Sequence, residues 1–198
     1  METLSLNPNG FYSFADYLQW KLDSYVEIVK GKILKMTPAP DWSHQSSSSS
    51  LHGIIWNALK NKKCKVVAAP FDVRLLDKKK STEDNDIFTV VQPDLCIICD
   101  TSKIDRKGCL GSPDMIIEIL SPSTAERDLK TKYQLYEENL VQEYWIVHPH
   151  EHTVLVFDLD ENEKYALRGI YTRSDKVQIK VLEDFWINLE EIFNDELD

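Results

Sequence analysis

Three side chains in this chain could together do chemistry on a phosphoester: the carboxylates of Asp94 and Glu118 and the amine of Lys132. Asp94 follows Pro93 at the head of an apolar run over residues 95–99, and Glu118 interrupts a second run, Met115-Ile116-Ile117-Glu118-Ile119-Leu120. An ionised carboxylate inside an isoleucine-rich strand is costly to bury unless a cation or several hydrogen bonds meet it. Two such acids on adjacent strands would offer oxygen ligands to one hard cation and leave room for waters and phosphate oxygens. Such an ion polarises a phosphoryl oxygen and activates water. Lys132, on the helix that follows, would stabilise the developing charge or orient the attacking water.

Each residue also has a structural reading. Asp94 can open a strand by bonding local backbone donors, Glu118 can pair with a lysine for structure alone, and Lys132 can form an exposed helical ion pair with Asp128, four residues before it. Glu27, His44, Asp72 and Tyr136 are accessory candidates. Glu27 reads as a further ligand or as an exposed hairpin acid. His44, in the first turn of a helix, reads as a substrate contact or as a surface residue. Asp72 shares a strand face with Arg74, which favours a structural ion pair. Tyr136 belongs to a buried stripe from which its hydroxyl could still reach the site.

The elements that must position these residues follow from periodicity and turn chemistry. Residues 13–23 carry apolar side chains at helical spacing behind Ser13, a capping residue. Residues 25–29 and 32–36 predict two strands joined by a tight turn at Lys30-Gly31. A helix is expected over 43–60, with Leu51, Ile54, Ile55, Ala58 and Leu59 as its apolar stripe and the serines 46–50 on its surface. Strands are expected at 65–69, 71–75, 87–91, 92–100 and 115–120, with loops at 78–86 and 101–113. In an extended 115–120 segment Glu118 shares a face with Ile116 and Leu120, while Ile117 and Ile119 point the other way. Ser121-Pro122-Ser123 leads into the most regular helix, opened by the capping-box pair Ser123 and Glu126 and striped by Leu129, Tyr133, Tyr136 and Leu140. Strands at 143–147, 153–158, 165–170 and 177–182 complete a meander, followed by an amphipathic ending at 189–193. The strand-helix-strand crossover over 114–147 gives an α/β or α+β class: a mixed central sheet flanked by helices, with extra antiparallel strands.

With 198 residues and 42% hydrophobic content, the chain is long enough for one domain with a real core, expected over 1–198 with flexible tails at 1–11 and 194–198. Its 23 Lys and Arg against 33 Asp and Glu give a net charge of −10, which argues against broad attraction to nucleic acid or anionic membrane and leaves only local nucleic-acid contacts. No signal-peptide pattern and no bilayer-length apolar run is present, so a cytoplasmic protein without a membrane partner is expected. The four cysteines are scattered, which fits reduced thiols. Cys96 and Cys99 form a C-x-x-C, but on a strand they face opposite sides, so zinc is not expected. His148, His150 and His152 fall between two strands, where a hairpin loop with adventitious metal affinity is expected. Lys62, Lys63, Lys65 and the lysines at 78–80 are basic spots of the kind solvated loops carry, or local phosphate contacts. Apolar edge strands in the C-terminal meander are compatible with a homodimer.

Gln92-Pro93-Asp94, Glu118-Ile119-Leu120-Ser121-Pro122-Ser123, Asp128 with Lys132 and Tyr136, and Glu143-Tyr144-Trp145-Ile146-Val147 together resemble the Uma-type endonucleases, a branch of the PD-(D/E)xK nuclease superfamily. The resemblance runs over residues 12–193 and takes in Glu27 with Gly31, His44, and Asp72-Val73-Arg74-Leu75. It implies a restriction-endonuclease-like core, Asp94 and Glu118 as magnesium ligands, and DNA as substrate. The superfamily's usual lysine position, two residues after the glutamate, is Leu120 here, and the resemblance places that role on Lys132, whose long side chain can reach across. His148 stands where an aspartate is common. The competing reading is a non-catalytic nuclease-fold module that binds nucleic acid or protein; a hydrolase of a smaller phosphoester is a third.

Overall fold

The computed structural model describes residues 7, 9–20, 26–35, 41–78, 81–121 and 125–193, with side chains in the segment from 125 described from Lys130 onward. The first helix, α1 (Phe14–Tyr17), is capped reciprocally by Ser13 and Asp16. It is one turn long, with Phe14 in the core and Leu18 exposed, and residues 21–23 of the longer helix expected there lie outside the described residues. Residues 9–11, expected in a tail, are tied down: Lys32 Nζ donates to the carbonyls of Asn9 and Gly10, and the Phe11 ring lies 4.9 Å from Phe88.

Strands β1 (Val26–Val29) and β2 (Lys32–Lys35) pair antiparallel around Lys30 and Gly31, whose φ angles of 49° and 78° give a turn that matches strand twist. Helix α2 (Trp42–Leu59) starts at Asp41, whose side chain accepts the His44 N–H, and runs through the serine tract. It buries Leu51, Ile55 and Leu59, each stabilising the fold by about 1.5–3 kcal/mol. Then come β3 (Lys65–Ala68), β4 (Val73–Leu75), β5 (Thr89–Val91), β6 (Leu95–Ile98), β7 (Ile104–Asp105), β8 (Gly108–Leu110) and β9 (Met115–Ile119). Helix α3 (Ala125–Glu138) crosses over to β10 (Glu143–His148), followed by β11 (Thr153–Leu159), β12 (Tyr165–Thr172), β13 (Lys176–Ile179) and β14 (Phe185–Asn188).

The central sheet has the order β12-β11-β10-β9-β6-β3. Its β9 and β10 are parallel because a helix joins them, and its other pairs are antiparallel, so the sheet is mixed as expected. On one face α2 packs with Ile117, Ile119, Trp145 and the C-terminal segment. On the other, Ile116, Leu120, Tyr136 and Tyr144 pack with Val73 and Leu75 of a second sheet, ordered β2-β1-β5-β4-β8-β7. The division of β9 between the two cores follows strand alternation, as the sequence predicts.

Three expectations are corrected. Residues 101–113 are not a plain loop, because β7 and β8 form a hairpin that extends the second sheet. Residues 177–182 do not continue the meander: β13 pairs with β14 in a separate ribbon, and residues 180–182 form a short 3-10 turn. Cys64 and Cys99 are joined by a disulfide rather than left as thiols, while Cys96 and Cys109 are free and buried. The β3–β6 register pairs Lys65 with Ile98, so the next residues outward, Cys64 and Cys99, meet across the strands. No helix among the described residues is long and apolar enough to cross a membrane.

Candidate active site

Strands β6 and β9 are antiparallel neighbours with Leu95 opposite Ile117, so the same register carried one residue further sets Asp94 opposite Glu118. Asp94 Oδ2 accepts the Ile119 N–H at 2.7 Å, which fixes the carboxylate at the end of β9. Glu118 faces α3, where Lys132 Nζ donates to Oε1 at 2.9 Å and the Tyr136 hydroxyl donates to the same oxygen at 2.5 Å. Lys132 and Tyr136 are one helical turn apart and therefore present one face to the strand.

Two accessory candidates join this cluster from distant elements. Glu27, on β1, is held by the Gln92 N–H at 2.9 Å and lies 3.1 Å from Lys132 Nζ. It is buried, which displaces its reading as an exposed hairpin acid. His44, carried in by the first turn of α2, is also buried rather than at the surface, with Nε2 3.3 Å from Asp94 Oδ1. Lys132 is bound by Glu118 and Glu27 rather than displayed on an exposed helix face. The Asp128 side chain and the Ser123–Glu126 cap lie outside what the structure describes.

Asp72 meets the cluster through Gln92, whose Nε2 donates to Asp72 Oδ1 at 2.7 Å while its backbone holds Glu27. The Tyr17 hydroxyl also donates to Asp72, at 3.1 Å. The expected Asp72–Arg74 pair is not formed: Arg74 reaches Asp105 at 2.6 Å, because β4 pairs with β8 and brings the β7–β8 hairpin alongside. Sequence reading assigned no role to Gln92 or Tyr17. The signals for Gln92 are its place at the head of the Gln92-Pro93-Asp94 motif and its polar side chain closing the apolar run Val90-Val91.

Among the described residues the site carries more carboxylates than cationic groups. Three carboxylates, Glu27, Asp94 and Glu118, surround one lysine and one histidine, and the Glu27, Glu118 and Lys132 side chains are only 3%, 9% and 12% exposed. Burial pushes the Glu118 carboxyl up to about 7; Lys132 opposes the shift, and the charges of Asp94 and Glu27 add to it. Burial pulls the Lys132 ammonium down, but Glu118 and Glu27 outweigh it and hold the group above its ordinary value. The Tyr136 phenol is raised by burial and by Glu118, so it stays a proton donor. For His44, burial is outweighed by the hydrogen bond and charge of Asp94, which raise its pKa.

Among the described residues, no three His, Cys, Asp or Glu side chains are grouped as a ready-made metal cage. Asp94 and Glu118 are the residues that could hold an ion of the kind that takes one or two carboxylates and fills its other positions with water and phosphate oxygens. A divalent cation between them would also relieve the repulsion that favours a proton on Glu118.

The chain is similar to several known proteins. The "Uncharacterized protein slr1290" of Synechocystis sp. is 24% identical over 170 residues, covering 83% of each chain. The crystal structure of a "putative nuclease belonging to DUF820" from Anabaena variabilis shares the fold with a TM-score of 0.72, covering 93% of this chain and 98% of that one at 18% identity. Residues 14–190 match the Uma2 family, described as "Putative restriction endonuclease". With nearly the whole folded span matched, the chain belongs to the Uma2 family.

Proposed function

We propose that this protein is a magnesium-dependent endonuclease that hydrolyses phosphodiester bonds of DNA. The observation that carries the reading is the convergence of Asp94 and Glu118 on adjacent strands, with three buried or half-buried carboxylates against one lysine and one histidine among the described residues. Mg2+ held by Asp94 and Glu118 would supply positive charge to the phosphoryl oxygens and lower the pKa of a water.

The chain's own residues hold that arrangement in place. The Ile119 N–H and His44 fix the two oxygens of Asp94. Tyr136 and Lys132 orient Glu118 from α3, and Glu27 holds Lys132 from its other side. Because its pKa is raised, Lys132 remains an ammonium at neutral pH. It therefore serves as a hydrogen-bond donor and fixed positive charge beside the developing oxyanion, not as a general base.

The test is cleavage of supercoiled plasmid, linear duplex and single-stranded DNA with Mg2+ or Mn2+, beside folded Asp94→Asn and Glu118→Gln proteins. Activity in the native chain that is lost in both variants is the expected result; cleavage that survives in either one would refute the assignment. Leu120, standing at the superfamily's usual lysine position and packed in the core, favours a second reading, a non-catalytic nuclease-fold module that binds nucleic acid or protein. Silence in every lane from folded protein would favour that module.

A further inference from the structure

We infer that the outward face of α2 is a track on which a single-stranded nucleic acid lies as it enters the candidate active site. The inference rests on the nuclease reading above and adds the strandedness of the substrate. Helix α2 buries His44, Ser47, Leu51, Ile55 and Leu59 along one side. Its opposite side exposes two tryptophans, Trp42 and Trp56, at 57% and 52%. Their spacing in the helix returns them to nearly the same azimuth, about 21 Å apart along the axis. Large indoles on the solvent side of a helix that already has a packed apolar side are not explained by the core of this chain.

Three further observations give the face its partner. First, Trp42 lies two residues before His44, which touches Asp94, so one end of the face borders the candidate site. Second, residues 42–71 contain four lysines and no Asp or Glu, in a chain with 33 acidic residues. Lys60 Nζ sits 5.7 Å from the centre of the Trp56 ring, and Lys62, Lys63 and Lys65 are exposed beyond it. Third, Gly53 lies on the same exposed stripe, and a Cβ placed there would meet nothing within 4 Å. Glycine inside a helix is unfavourable relative to alanine, so the packing of the fold gives no reason for it. Close approach of a ligand backbone does. Exposed Ser49, between the tryptophans, can donate to phosphate oxygens.

The chemistry selects single strands over duplex. Stacking on an indole requires a base whose face is free, and such stacking is tolerant of sequence. Duplex binding without sequence readout draws on many phosphate contacts, which four lysines in a protein of net charge −10 do not provide.

The test is binding of a labelled single-stranded oligonucleotide and of its duplex, followed by fluorescence anisotropy in EDTA, so that neither metal nor cleavage enters. The single strand is expected to bind more tightly, with a salt slope no steeper than about −3. Trp42→Ala and Trp56→Ala are each expected to weaken it about 5- to 150-fold. Gly53→Leu is expected to weaken single-strand binding at least 5-fold without lowering the melting temperature, a combination that misfolding cannot produce. Equal or tighter binding of duplex, unchanged affinity in the tryptophan variants, or no binding by the native chain would overturn the inference. If the tryptophan variants bind normally while Asp94→Asn abolishes cleavage, the track falls and the metal centre stands. The reverse pattern separates the two in the other direction.

Discussion

Replacing Lys132 by methionine tests whether the buried carboxylates depend on this one cation. Methionine keeps much of the apolar stem and removes the ammonium, which stands 2.9 Å from Glu118 Oε1 and 3.1 Å from Glu27 Oε1. At an effective dielectric of about 20, a unit charge pair at such a distance is worth roughly 5 kcal/mol. Most of that offsets the desolvation of the ions, but removing one partner leaves the others buried and uncompensated, and such losses run at about 3–5 kcal/mol. Against a total stability of about 5–15 kcal/mol this is a large fraction. The assay is urea unfolding in the absence of divalent ions. Lys130→Met, on the exposed side of the same helix, is the control and should change stability by less than about 0.5 kcal/mol. Adding Glu27→Gln to Lys132→Met should recover about 0.5–3 kcal/mol as a coupling energy, because the two side chains are in contact. A loss below about 1 kcal/mol in Lys132→Met, or additivity in the double variant, would refute the electrostatic account of the cluster.

Three further outcomes are expected. Mg2+ at a hundredfold excess over its Kd should stabilise the native chain by about 2.7 kcal/mol, and Asp94→Asn and Glu118→Gln should lose most of that gain in thermal unfolding. Tyr136→Phe removes the hydroxyl that donates to Glu118 and leaves a buried acceptor short of a partner. It should lower stability by about 1–3 kcal/mol in urea, and a change under about 0.5 kcal/mol would show that Tyr136 acts only as core. Asp158 provides the pH test. Burial raises its pKa, but Arg168 and Lys180 outweigh burial and hold the carboxyl below its ordinary value. A depressed folded pKa contributes stability that is present above the unfolded pKa and lost as pH falls through the folded one. The stability gap between the native chain and Asp158→Asn should therefore be full near pH 7 and close in acid below about pH 4, when measured by urea unfolding across pH.

What could be read from sequence divides along a physical line, between local and non-local geometry. The facing of Glu118 followed from the period-two alternation of its own strand, which the two cores on either side of β9 bear out. The serine tract continued as helix because the apolar residues after it keep helical spacing and Asp41 caps it. Sequence leaves Glu27 and His44 open between a place in the site and an exposed position, and pairs Arg74 locally with Asp72, because each is placed by a partner far away in the chain. Glu27 needs the β1–β5 pairing that brings the Gln92 N–H to it, His44 needs α2 to begin beside Asp94, and Arg74 needs the parallel β4–β8 pair. The cross-strand disulfide is another consequence of register. The residues that sequence placed least well are thus the ones that set the charge of the site. Local pattern singles out Asp94, Glu118 and Lys132 as candidates, but the third carboxylate arrives only when β1 docks on β5 and turns Glu27 toward Lys132. A cluster built this way is poorly balanced without a further cation, a form of stability–function trade-off. It predicts that Glu118→Gln, which removes one buried negative charge, leaves the metal-free protein at least as stable as the native chain at pH 8. A loss above about 2 kcal/mol in metal-free urea unfolding would show instead that Glu118 is held as a structural partner of Lys132 and Tyr136.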